Sequence, residues 1–143
     1  MPALRLEHYN IRTTRLEPTV RFYAEVIGLR AGPLPSGRPG AWMYDPQDVP
    51  IVHINAIDPN DPAAMMGLNA HLGEKDPATL NGSGAIDHVA FEGDDYDGFR
   101  SHLARCGVAY KERDVPAMSL RQLFVTDPNG ITVEINFHPR RPA

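Results

Sequence analysis

Cysteine is nearly absent from this chain of 143 residues: Cys106 stands alone, which excludes an internal disulfide and any cysteine-rich zinc module. A metal here would have to be held by histidine and carboxylate groups. No apolar run approaches the roughly 20 residues that span a bilayer, and the opening "MPALRLEHYN" has no signal-peptide apolar core. These absences predict a cytoplasmic protein with no membrane partner. Basic excess is missing too. With 14 Lys+Arg against 18 Asp+Glu the formal charge is -4, so no broad cationic surface points to nucleic acid, and small neutral or weakly charged ligands fit better. Low-complexity sequence is also absent. Proline, by contrast, is abundant: 14 residues, about twice average usage, predict short elements joined by firm turns. The length suits one domain, or two small units sharing a core.

What is present is a repeat. "LEHYNI" at 6–11 and "IDHVAF" at 86–91 share an apolar-acid-His-apolar pattern, and both read as strands. Each is followed by a helical pattern. In the first copy Leu16, Val20, Tyr23 and Ile27 form the stripe, with Pro18 in the first turn and Gly28 near the end. In the second, Asp94 and Asp95 are candidate caps, Tyr96, Phe99 and Leu103 form the stripe, and Gly107 ends it. Cys106, inside this helix pattern, is expected to be packed. Each half then closes on a hairpin-like pair, "WMYDPQDVPIVHIN" at 42–55 and "LFVTDPNGITVEIN" at 123–136, in which V-H-I-N matches V-E-I-N. The expected organisation is two βαβββ modules, 1–57 and 84–138, joined by a connection over 58–83 and followed by a tail at 139–143. The Pro- and Gly-containing connection holds a candidate short helix around "PAAMMGL" and an exposed His71.

Strand periodicity turns this repeat into chemistry. Side chains alternate between faces, so His8, His53, His88 and Glu134 share one face type, while Tyr9, Ile11, Val52, Ile54, Val89, Phe91, Val133, Ile135 and Phe137 form the other. The second set is an apolar face on which both helices can pack. The first adds Asn10, Asn55 and Asn136 two residues beyond three of the four. One such strand is most simply half-buried with a solvated side; four strands repeating the pattern predict a polar concavity suited to a divalent cation.

The combination resembles the vicinal oxygen chelate superfamily, which includes glyoxalase I, extradiol dioxygenases, fosfomycin-resistance transferases and bleomycin-binding proteins; "DPNGITVEI" at 127–135 is the most specific local match. The resemblance covers nearly the whole chain. It implies an α+β fold in which two tandem βαβββ modules form a cupped mixed sheet around a central metal. The implied metal ligands are His8, His88 and Glu134, with His53 either an acid/base or a fourth ligand. Glyoxalase I-like members place Glu at the position of His53. Two-histidine, one-glutamate dioxygenases instead place an acid/base histidine there, leaving open positions on Fe(II) or Mn(II) for a catecholate and O₂. The resemblance therefore implies an extradiol-dioxygenase-like oxidoreductase acting on a small catechol-like substrate. The alternatives are a glyoxalase I-like lyase or isomerase, for which Zn(II) or Ni(II) is also possible, and a metal-free bleomycin-type binding protein. A homodimer is implied as well.

The expected pocket residues are Asn10, Asn55, Asn136, Phe124 and Arg121. Phe124 replaces the tyrosine usual in such dioxygenases. Arg121 is a candidate to orient a substrate carboxylate or phenolate, with a position on the rim preferred. Leu6 and Ile86 are expected on the ligand face. His102 is expected to face solvent, His138 to be structural or solvated, and Arg140 and Arg141 to form an exposed tail.

Overall fold

The alternation predicted for each copy becomes a four-stranded sheet in the computed structural model, which describes residues 1–139. Arg140 and Arg141 lie outside the described residues. The chain divides into two units, residues 1–80 and residue 81 onward, so most of the connecting segment belongs to the first.

In the first unit β1 (Tyr9–Thr13) leads into α1 (Leu16–Arg21), which continues as a π-helical stretch, Phe22–Ile27. There follow β2 (Arg30–Gly32), β3 (Gly40–Tyr44) and β4 (Pro50–Ala56). The sheet order is β1-β4-β3-β2, with β1 parallel to β4 and the remaining pairs antiparallel. The helix packs on β3 and β4, burying Phe22, Tyr23 and Val26 beside Ile11, Met43, Val52 and Ile54. Gly28 ends it at φ +92, a left-handed conformation that a Cβ disfavours. The helix expected around "PAAMMGL" is α2 (Pro62–Leu72), capped by Asp61, whose carboxylate accepts from the Ala63 amide.

The second unit repeats the scheme. β5 (Val89–Gly93), α3 (Tyr96–Arg105), β6 (Lys111–Val115), β7 (Leu120–Thr126) and β8 (Thr132–Phe137) make a sheet of order β5-β8-β7-β6. Of the two candidate caps, Asp95 accepts from the Gly98 amide. Tyr96 and Phe99 of α3 meet the ring of Phe137 edge-on, and Leu103 is fully buried. Cys106 corrects the expectation of a packed thiol. It is the C-cap, where Gly107 (φ +67) turns the chain away from the sheet, and it is exposed. His102 is half-buried, near Cys106 Sγ and the Phe99 ring, rather than fully solvated. His71 and His138 are exposed.

The Asp-Pro turns between the last two strands of each unit use one device. Asp45 Oδ1 accepts from the amides of Gln47 and Val49, and Asp127 Oδ1 from those of Asn129 and Ile131. After the turn the two ladders differ. In the second unit Thr126 pairs with Thr132 and Val125 with Val133. In the first, Tyr44 pairs with Pro50 but Met43 with Val52, so Ile51 is bulged. No helix among the described residues is long and apolar enough to cross a membrane.

Candidate functional site

Register decides which polar groups meet. In the first unit Asn10 on β1 pairs with His53 on the interior strand β4, and His53 pairs in turn with Trp42 on β3. The imidazole of His53 stacks on Trp42 with ring centroids 4.2 Å apart and planes at 15°, while His8 meets the same indole edge-on at 4.9 Å. The His8 and His53 rings lie 6.2 Å apart.

Hydrogen bonds then give the two histidines different roles. His8 Nδ1 lies 2.9 Å from Glu7 Oε1, so its proton is held on Nδ1 and Nε2 keeps a lone pair. His53 is opposite in sense. The Asn10 amide nitrogen, which can only donate, lies 3.1 Å from His53 Nδ1, and Asn55 Nδ2 donates at 3.0 Å to Asn10 Oδ1, fixing which way that amide points. Nδ1 of His53 therefore accepts, and in the neutral ring the proton sits on Nε2. Burial, with the nearby His8 and the Arg12 guanidinium, holds the His53 pKa below the ordinary histidine value and keeps the ring neutral.

The second unit presents a contiguous pair. His88 Nδ1 lies 2.7 Å from Asp87 Oδ1, and its Nε2 lies 3.0 Å from Oε2 of the buried Glu134. The hydrogen bond to Asp87, with the Glu134 charge, raises the His88 pKa against the lowering effect of desolvation. The other carboxylate oxygen, Oε1, accepts at 2.8 Å from Gln122 Nε2, which also donates at 2.9 Å to Asn136 Oδ1. Phe124 pairs with Glu134 and supplies an apolar neighbour on the same face.

These donors suit a divalent cation in two respects. A carboxylate behind Nδ1, found at both His8 and His88, is the arrangement that orients metal-ligating histidines. The His88 Nε2–Glu134 Oε2 ion pair, at 3.0 Å, also sets an imidazole nitrogen and a carboxylate oxygen side by side. Each unit brings together two of the four ligand-type residues. Among the described residues no group of three or more His, Cys, Asp or Glu is poised to hold a metal.

Of the expected pocket residues, Asn10 and Asn55 meet at His53, and Asn136 joins Gln122. Arg121 is not brought to that face: it pairs with Phe137, lies 3.4 Å over the Tyr96 ring and 3.6 Å from Asp114, on the α3 side of its sheet. Leu6 and Ile86 are exposed just ahead of β1 and β5. Trp42, Gln122, Glu7 and Asp87 were not among the expected site residues, although the shared acid before each first-strand histidine was a visible signal. A cleft of about 540 Å³ in the first unit is lined by Arg12, Arg38 and Asn55 from the sheet side and by Asp58, Asp61 and Leu68 around α2. Among the described residues neither arginine has a carboxylate partner within 4.0 Å.

Two βαβββ units, each carrying a histidine immediately ahead of its first strand and a histidine or carboxylate on the polar face of its last, define a two-module α+β protein of the glyoxalase type. The chain belongs to the Glyoxalase/Bleomycin resistance protein/Dioxygenase superfamily, whose model matches residues 5–135. That superfamily includes glyoxalases and dioxygenases, and its members commonly use divalent metals. Solved structures share the fold at low identity. A lactoylglutathione lyase from Agrobacterium tumefaciens is 17% identical with a TM-score of 0.64, covering 95% of each chain. A glyoxalase/bleomycin resistance protein/dioxygenase from Nocardioides is 18% identical with a TM-score of 0.65, covering 100% of this chain and 92% of the other. A glyoxalase/dioxygenase from Nostoc punctiforme is 19% identical with a TM-score of 0.63, covering 96% and 92%. No curated protein matches the chain in sequence.

Proposed function

We propose that this protein is a divalent-metal-dependent, dioxygenase-like enzyme in which His8, His88 and Glu134 hold Fe(II) or Mn(II), while His53 stays off the metal and serves the substrate. One observation carries the choice between three ligands and four: the Asn10 amide donates to His53 Nδ1, leaving a hydrogen rather than a lone pair on Nε2. A three-ligand set leaves more positions open for a chelating substrate and a second reactant than a four-ligand set does. The cation would supply Lewis acidity toward a catechol-like diol and, as Fe(II) or Mn(II), access to electron transfer with O₂.

The remaining work falls to the chain's own side chains. His53, neutral at pH 7 because its pKa is lowered, offers its Nε2–H to a substrate oxygen on which negative charge develops. This narrows the role expected from sequence: with Nδ1 accepting from Asn10, His53 acts as a hydrogen-bond donor in this proposal, and acting as a base at Nε2 would require the Asn10 amide to turn. Trp42 fixes the plane of the imidazole by stacking. Phe124 provides an apolar wall where a phenol would otherwise bind substrate oxygen. The cleft beside Asn55 offers a substrate both signs of charge, with Arg12 and Arg38 facing Asp58 and Asp61 across it. The proposal includes a cytoplasmic homodimer acting on a small molecule.

The test is substitution and metal analysis together. His53→Ala is expected to keep stoichiometric metal while turnover falls. Loss of metal in that variant would make His53 a ligand and favour the glyoxalase I-like reading. Oxygen uptake with catechols after anaerobic loading with Fe(II) or Mn(II) supports the reading; no uptake alongside activity on glutathione hemithioacetals reverses it. A purified, untagged protein that contains no divalent metal and takes none up would instead be a ligand-sequestering protein.

A further inference from the structure

Glu134 is a buried carboxylate whose two oxygens have different surroundings, and the residue that makes them different is Gln122. Its side chain is 7% exposed. One hydrogen bond from Nε2 engages Glu134 Oε1 and a second engages Asn136 Oδ1, so both amide hydrogens are used. Gln122 Oε1 is buried and has no hydrogen-bond partner among the described residues. A residue selected for stability alone would not leave a buried acceptor unpaired, because that forfeits its solvation without return. The side chain is held there by what its nitrogen does. The register explains the reach: Gln122 pairs with Asn136, two residues along the ladder from Phe124 and Glu134, and so on the same face.

We infer that Gln122 is a positioning residue that makes Glu134 a one-oxygen ligand, an inference that rests on the reading of Glu134 as a metal ligand. With Oε1 tied to the amide, only Oε2, the oxygen facing His88 Nε2, is free to reach a cation. A carboxylate released from that tie can offer both oxygens and fill a position otherwise left for substrate. Gln122 therefore governs how many sites on the cation stay open, without touching the cation or the substrate.

The experiment uses Co(II) as probe on the full chain. Wild type and Gln122→Met, which keeps side-chain length and removes the donor, are compared by Co(II) titration and by the visible ligand-field spectrum, whose intensity falls as coordination number rises. The expected result for Gln122→Met is Co(II) affinity lowered about 10- to 100-fold and weaker visible bands as the second oxygen joins. Leu123→Val, a buried change on the opposite face of β7, is expected to lower Tm and leave the Co(II) spectrum as in wild type. Should Gln122→Met not fold, Gln122→Asn carries the test, since it keeps an amide but withdraws it from Glu134 by one methylene. Wild-type affinity and an unchanged spectrum in a folded Gln122 variant overturn the inference alone. Failure of the wild type to bind Co(II) overturns the metal reading and the inference with it.

Discussion

The two units share strand order, turn chemistry and helix placement, yet they orient their polar residues by different means. In the first, the orienting amide comes from β1: Asn10, two residues beyond His8, turns His53 so that a hydrogen faces outward from Nε2. In the second, the position equivalent to Asn10 is Ala90, and the orienting amide comes instead from β7, where Gln122 ties down one oxygen of Glu134. The position equivalent to Gln122 in the first unit is Gly40, which pairs with Asn55 as Gln122 pairs with Asn136. One backbone scaffold thus carries two residue types at the same place, an imidazole on the last strand of one unit and a carboxylate on the last strand of the other. Duplicated architecture constrains where side chains stand, and the neighbour on the adjacent strand decides what they do.

Removing each of the two last-strand residues in turn should give the largest effect. Glu134→Ala is expected to abolish stoichiometric metal binding, measured by metal analysis after reconstitution. His53→Ala should retain the metal and lower kcat by about 10²- to 10³-fold, the range for losing one donor to a developing oxyanion. Equal metal loss in both variants would erase the distinction between the units. Next in size, Asn10→Ala removes the donor to His53 Nδ1; a roughly 10-fold loss of kcat with metal content intact is expected. In ¹⁵N spectra of this variant the His53 ring should show both tautomers instead of one.

A smaller, opposite response to pH separates the units in the metal-free protein. His88 is raised above the ordinary histidine value of about 6.5, so its contribution to stability is fully present below about 6.5 and is lost as pH rises through its folded value. His53 is lowered, so the unfolded chain takes up its proton first, and stability declines as pH falls below about 6.5. Histidine C–H resonances followed by NMR should show one midpoint on each side of 6.5. Coincident midpoints would remove the asymmetry. Both rings are partly exposed, so these contributions are screened by solvent.

Much of this arrangement was legible because strand parity survives in sequence. Val52 and Ile54 on one face and His53 and Asn55 on the other follow from alternation alone, and the buried and half-buried pattern of β4 agrees. The same rule separates Arg121 from the other pocket candidates. It stands three residues from Phe124, so parity alone sends it to the α3 side, where Tyr96 holds it. Cross-strand partners were not legible. That Trp42 stacks on His53 and Gln122 holds Glu134 depends on the registers of β3 with β4 and β7 with β8, which hydrophobic pattern does not specify residue by residue. The exposure of Cys106 was not legible either, because it stands at the helix C-cap, beyond the last buried residue of the stripe.

The bulge at Ile51 bears on how this protein tolerates a change in length. Asp45 and His53 are eight residues apart, whereas Asp127 and Glu134 are seven, and the surplus is spent where Met43 pairs with Val52 while Tyr44 pairs with Pro50. Excising Ile51 should convert that ladder into the regular form of its counterpart and leave His53 opposite Trp42, with the circular dichroism melt little changed. Excising Ile54 should disrupt the core, since that side chain is completely buried and Asn55 would take its place. One spare link just past the turn thus marks where this hairpin can shorten without turning its working face away.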